Sequence, residues 1–166
     1  MLDDLKIYLA GYISGAVIKE CSEWRKRLRI VYDNWIDKEG QKRRYPICWI
    51  DPLNGEDFAE ISPDGLKGVL PPHAIVHKDY RSIEICDIVV VNMDTFGQQR
   101  PLIGTICELA WAWNKNKPII MITDDPVYMT HPFLEYFASW VVPSVDVLIE
   151  KKIINEFFKA WHSARY

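Results

Sequence analysis

Several features are missing from this 166-residue chain, and each absence removes a class of function. The four cysteines, Cys21, Cys48, Cys86 and Cys107, include no CxxC pair, and three of them fall in apolar periodic segments. They read as buried, reduced thiols, with neither a disulfide framework nor a zinc site expected. No stretch reaches the roughly 20 apolar residues that cross a bilayer, and the first residues lack the apolar run of a signal peptide. A cytoplasmic protein with no membrane partner is expected. Neither sign of charge dominates: 20 basic residues stand against 23 acidic ones, for a net charge of −3. The basic residues are scattered or sit in short clusters such as Arg43-Arg44, which argues against a nucleic-acid groove or a polybasic anchor. His73 and His77 are spaced i, i+4 but no third ligand pattern accompanies them, so no metal and no cofactor is expected. There are no internal repeats and no low-complexity tract.

What remains is an alternation of short apolar strands and helices. Leu5-Lys6-Ile7-Tyr8-Leu9-Ala10 is a first strand broken at Gly11, and Gly15 closes a small-residue loop. A helix follows with Val17, Cys21, Trp24, Leu28, Val31 and Trp35 on one stripe, ending by the Gly40 region. Strand, glycine turn and helix invite a phosphate-loop reading, but Gly11-Tyr12-Ile13-Ser14-Gly15 has neither the dinucleotide nor the Walker spacing. Residues 46–50 form a second strand. The stretch 53–72 is too long for a minimal connection and reads as a lid or an excursion over a site. A helix fits residues 73–85, with Val76, Tyr80 and Ile83 toward the core and Asp79 beside that stripe. A carboxylate so placed lies at a helix edge, pairs with a neighbouring base, or works in a pocket.

Residues 86–92 read as a fully buried third strand and 118–123 as a fourth. After the Asp124-Asp125-Pro126 turn come a short helix over 132–139, a short strand at Val141-Val142, and a last helix capped by Asp146 that buries Ile154, Phe157, Phe158 and Trp161. This pattern predicts a single α/β domain over residues 1–166. It would be a flavodoxin-like or Rossmann-like three-layer sandwich whose five-stranded, mostly parallel sheet runs in the order 2-1-3-4-5. Strands 1 and 3 are then neighbours at the switch point, where Tyr8, the Gly11 loop, Asn92 and the helix beginning at Gly104 converge.

That last helix start carries the most informative residue. Apolar residues at 106, 109, 110 and 113 recur at helical spacing, with Glu108 off the stripe and one turn inside. Helical side chains lean toward the N-terminus, so the Glu108 carboxylate projects over Gly104, which leaves room for a ligand. The ordinary alternative is a solvated glutamate. Positions 104, 105, 111 and 112 are Gly, Thr, Trp and Ala, so no basic partner stands at helical reach.

Taken together, Ile7-Tyr8-Leu9-Ala10-Gly11, Asp79 ahead of an Asp-led Val-rich strand, and Gly104-Thr105-x-x-Glu108 resemble the nucleoside 2-deoxyribosyltransferase superfamily. Its members include deoxynucleoside-monophosphate N-glycosidases and phage-type proteins. The resemblance implies that Glu108 is a nucleophile attacking C1′ of a deoxynucleoside, as in retaining glycosidases. It implies that Asp79 exchanges a proton with the base and that Tyr8 orients the nucleophile. It further implies substrate contacts from Gly11, Tyr12, Asn92, Leu102, Gly104, Thr105 and Leu134, and a homo-oligomer whose sites are completed across the interface. A deoxynucleoside and a nucleobase would be the small-molecule partners.

The sequence also departs from the family. Six residues before the nucleophile, where the transferases carry Asp and the nucleotide hydrolases Ser, stands Leu102. The neighbouring subunit's usual Asn is matched by Leu134, and the hydrolases' phosphate-holding Ser and Arg by Tyr12 and Ser14. Nothing obvious would hold a 5′ phosphate: either Gln98, Gln99 or Arg100 takes over the 5′ contact from a rearranged loop, or the substrate differs there, or the site has decayed. Three readings stay open: a deoxyribosyltransferase, an N-glycoside hydrolase, and a nucleoside-binding module without turnover.

Overall fold

The computed structural model describes residues 4–13, 18–34, 46–53, 60–62, 65–67 and 70–163. The expectations that concern Val17, Trp35, the Gly40 region, Arg43-Arg44, most of 53–72 and the side chain of Trp161 lie outside the described residues.

Strand β5 (Ile88–Asn92) is the middle strand, flanked by β1 (Leu5–Gly11) and β6 (Ile119–Ile122), with β2 (Ile47–Ile50) and β7 (Trp140–Val142) at the two edges. All four pairings are parallel and the order is β2-β1-β5-β6-β7, the predicted 2-1-3-4-5 counted along the chain. Two short strands, β3 (Glu60–Ser62) and β4 (Gly65–Lys67), pair antiparallel apart from it. They fall within the stretch read as a lid.

Helices cover both faces, so the strands are apolar on both sides and read as runs rather than alternations. On one face Tyr8, Ala10, Val89, Val91, Ile119 and Met121 pack with residues of α2 (Pro72–Ile85), α3 (Ile103–Asn114) and α5 (Pro132–Phe137). On the other, Ile7, Leu9, Val90 and Ile120 meet α1 (Ile18–Asp33), α6 (Val145–Glu150) and α7 (Ile153–Ser163). Helix α1 joins the two faces: Cys21 packs in the first cluster, Trp24 and Leu28 in the second.

Several helix faces differ from the sequence reading. In α2, Val76 is 51% exposed and Tyr80 39%, while Ile83 is fully buried. The inward row is Ile75, Asp79 and Ile83, which puts Asp79 on it rather than beside it. In α3, Ile106 and Trp113 are exposed, whereas Thr105, Glu108, Leu109 and Ala112 are buried. That helix is apolar almost all round, so periodicity alone could not choose its buried side. Glu108 is therefore on the buried face.

The predicted last helix is two, separated at Lys152, whose φ of 55° breaks the regular turn. Its cap is Ser144, whose hydroxyl accepts from the Val147 N–H at 3.2 Å; Asp146 lies in the first turn and pairs with Arg27. The Asp124-Asp125-Pro126 turn opens a one-turn helix, α4 (Pro126–Met129), with Asp125 as its cap. Of the cysteines, Cys21 and Cys86 are buried as expected, but Cys48 on the edge strand and Cys107 on the outer side of α3 are exposed. Among the described residues no helix is long and apolar enough to cross a membrane.

Candidate functional site

Tyr8 stands in the middle of β1 with its side chain on the α2/α3/α5 face, fully buried. Its hydroxyl donates to Glu108 Oε1 at 2.6 Å. The bond joins β1 to the first turns of α3, at a place where burial strips both groups of water. Glu108 is only 8% exposed, and burial lifts its carboxyl to a pKa of about 8, with the Asp79 charge acting in the same direction. The Tyr8 hydrogen bond and the Arg25 charge pull it down. Tyr8 in turn is held well above its ordinary value, first by burial and then by the Glu108 and Asp79 charges. It stays a phenol and a donor.

The Asp79 charge thus acts on the same pair from α2. A fourth group was not read from the sequence. Arg25 is fully buried on α1, donating to the Cys21 carbonyl and, at 3.4 Å, to the Gly11 carbonyl, with its guanidinium 4.6 Å from the Trp24 ring centroid. Its Nε lies 3.4 Å from Asp51 Oδ1, and Arg29 binds the other oxygen of that carboxylate. The signal was present: Cys21, Trp24, Arg25 and Leu28 stand at i, i+3, i+4 and i+7, so Arg25 occupies a core position of the stripe. Asp51 follows the carboxyl end of β2, where α/β sites gather.

The other expected site residues divide. Gly11 is required by close approach, because a Cβ there would meet the Asn92 carbonyl and Trp24 Cζ2, both at 3.1 Å. Gly104 has open space where a Cβ would be, so packing does not demand a glycine and a ligand would meet no side chain at that position. Thr105 is buried one turn before Glu108. Tyr12, at 4% exposure, packs in the same cluster as Tyr8, and its buried hydroxyl has no hydrogen-bond partner among the described residues.

Leu102 and Leu134 are core side chains of that same cluster, 1% and 4% exposed, and offer almost no surface to a ligand in the single chain. Asn92 alternates with Val91 and Met93 and so falls on the opposite face from Tyr8. Its side chain accepts from the Asp94 N–H at 3.1 Å, and it lines a separate crevice of about 380 Å³ with Thr123, Asp124 and Ser144. Tyr8 and Asn92 therefore lie on opposite faces of the sheet.

The architecture is that of an α/β fold with a Rossmann-like parallel sheet and a buried carboxylate at the first turns of the helix after its third main strand. Among solved structures, the chain is similar to a 2-desoxiribosyltransferase from Leishmania mexicana, at 18% identity over 80% of this chain and 70% of that one, with a TM-score of 0.48. It is also similar to the Clostridium botulinum CMP N-glycosidase BcmB, at 18% identity over 90% of this chain and 98% of that one, with a TM-score of 0.50. The second of these likenesses is one of fold. No family model matches the sequence. No curated protein matches it either.

Proposed function

We propose that this chain is an N-glycosyl enzyme that transfers deoxyribose between nucleobases, with Glu108 as nucleophile. The observation that carries the reading is the buried Tyr8–Glu108 hydrogen bond at 2.6 Å, with Asp79 close enough to act on both groups. The reading is supported by residues from distant parts of the sequence, since Tyr8 and Glu108 are bonded and the Asp79 charge acts on both.

In the reaction, a Glu108 oxygen attacks C1′ as the C1′–N bond of the nucleoside breaks. The departing base takes a proton from Asp79, leaving a deoxyribosyl ester on Glu108. A second base attacks C1′ from the face the first one left, gives a proton to Asp79, and releases Glu108 as carboxylate. A poorly solvated carboxylate suits the first step, since little water must be displaced before it reacts. Tyr8 holds one oxygen and so leaves the other for C1′.

Among the described residues Arg25 is the cation that acts on Glu108, and its guanidinium is taken up by Asp51 and two carbonyls. This favours a substrate with an uncharged 5′ end. A hydrolytic reading uses the same ester with water as acceptor, and the fold likeness to a CMP N-glycosidase keeps it in view.

The protein also has an apolar surface suited to a second copy of itself. Ile103, Ile106 and Trp113 on α3, Val76 and Tyr80 on α2, and Phe133 and Tyr136 on α5 are exposed on adjoining helices. Trp113 and Tyr136 touch edge to face, with centroids 5.0 Å apart. Exposed apolar side chains on these helices support an interface with a second copy, on the outer side of the Glu108 helix.

Product analysis tests the reaction. Purified protein is incubated with each deoxynucleoside, with and without a different free base, beside Glu108→Ala. A new deoxynucleoside formed only with acceptor and only with Glu108 supports transfer. Free base released without acceptor replaces transfer by hydrolysis, and no turnover at high enzyme concentration replaces both by a binding role.

A further inference from the structure

The carboxyl ends of three neighbouring strands leave an opening that the proposed reaction does not use. Asn92, Ile122 and Val142 stand level across β5, β6 and β7. Just beyond them the N–H groups of Met93 and Thr123 still bond across the sheet, at 3.0 and 2.8 Å. The loops that follow part around the crevice of about 380 Å³, which neither Tyr8 nor Glu108 lines. Its size falls within the range of small-molecule pockets, roughly 300–1,000 Å³, and it stands at strand ends, where α/β folds bind ligands.

The polar groups around it are of two kinds. Asn92 is 6% exposed, and its Oδ1 accepts from the Asp94 N–H at 3.1 Å, which turns the side chain toward a loop that bounds the crevice. Its amide nitrogen has no hydrogen-bond partner among the described residues, and a largely buried donor left unmade costs free energy. The Tyr128 hydroxyl is a second such donor; burial and then the Asp125 charge raise that phenol, so it keeps its proton. Opposite the donors stand acceptors. Asp94 and Asp125 each give one oxygen to a loop N–H, at 2.7 and 2.8 Å, and keep the other, while Asp124 is exposed. No Lys, Arg or His lines the crevice among the described residues. Three carboxylates without a cation repel phosphate, and a simple cation would leave the Asn92 and Tyr128 donors unmet. A hydroxyl group serves both kinds, since it donates and accepts.

We propose that the crevice between the ends of β5, β6 and β7 binds a neutral polyhydroxyl molecule of pentose to nucleoside size. Asn92 and Tyr128 donate to its oxygens, and the aspartates accept from its hydroxyls. Ile122 and Val145 offer apolar wall to its C–H face. The site is distinct from that of Glu108 and does not depend on the reaction given to it.

The test is a titration of methyl-labelled protein with D-ribose and with 2-deoxy-D-ribose, read by NMR at the Ile122, Thr123 and Val145 methyl groups. Both sugars should displace these signals saturably, and ribose 5-phosphate should bind at least about tenfold more weakly. Asn92→Asp keeps the acceptor for Asp94 and removes the donor, so ribose affinity should fall about tenfold. Asp124→Ala and Tyr128→Phe, on accessible side chains, should each weaken it about 2- to 10-fold with the thermal transition retained. Glu108→Gln should leave it unchanged. Putrescine separates a cation site from a polyol site, because Asn92→Asp would tighten a cation and weaken a sugar. No saturable displacement by either sugar, a response to putrescine alone, or loss of the sugar response in Glu108→Gln overturns the inference. A saturable sugar response in a protein that turns over no nucleoside supports the site and counts against the proposed reaction only.

Discussion

The hydroxyl of Tyr8 and the carboxylate of Glu108, 100 residues apart in sequence, meet at 2.6 Å inside the protein. The bond favours the charged form of the acid against burial and against Asp79. Tyr8→Phe removes it while keeping the ring. A hydrogen bond to a charged group contributes roughly 1.5–3 kcal/mol, so kcat/KM at neutral pH should fall about 10- to 100-fold. The acid limb of the pH profile should move to higher pH, and an unchanged limb would contradict the bond's electrostatic role.

Glu108 also sets a pH dependence of stability. Its carboxyl titrates at about 8 in the folded chain, well above the ordinary 4.5. The folded state therefore holds a proton that the unfolded chain has already released. The contribution is fully present below the unfolded pKa and is lost as pH rises through the folded one, with a limiting slope of about 1.4 kcal/mol per pH unit. Glu108→Gln keeps an acceptor for Tyr8 and has no such penalty. Its melting temperature should exceed the native one by more at pH 8 than at pH 5; a difference independent of pH would contradict the burial argument.

Asp79 should separate by leaving group. Asp79→Asn removes the proposed proton donor and should lower turnover of ordinary deoxynucleosides by about 10²- to 10⁴-fold. With a 2-deoxyriboside whose leaving group departs as a stable anion, such as 2,4-dinitrophenolate, the loss should shrink markedly. Equal losses on both substrates would move Asp79 out of proton transfer.

The outer face of α2, α3 and α5 should carry self-association. Phe133 and Tyr136 are 67% and 71% exposed, so charging them leaves the core of the single chain untouched. Phe133→Asp with Tyr136→Asp should reduce the mass found by sedimentation velocity while preserving the thermal transition of the chain. A native protein that already sediments as a monomer would rule out the interface.

The strand order was legible in the sequence, because buried parallel strands are apolar runs, and the meeting of Tyr8 with Glu108 was implied by the family resemblance. The helix faces were not. Val76, Tyr80, Ile106 and Trp113 keep helical periodicity as well as any core stripe, yet they face outward in the single chain. An apolar stripe says that something covers it, without saying whether that is the chain's own sheet or another molecule. Asn92 was placed by its position at the end of β5, and the two-residue alternation of a strand then sent its side chain to the other face. Arg25 was hidden by its type, since an arginine within an apolar helix stripe is usually solvated at its tip.

The central claim is that Glu108 bonds covalently to the sugar, and intact-protein mass spectrometry tests it most directly. Protein mixed with a deoxynucleoside in the absence of acceptor base is quenched in acid within the first turnovers, then digested and mapped. The account predicts a population heavier by one deoxyribosyl group, located on the peptide containing Glu108, absent in Glu108→Gln and discharged when a second base is added. Turnover with no adduct at any quench time, or an adduct on another residue, would contradict it.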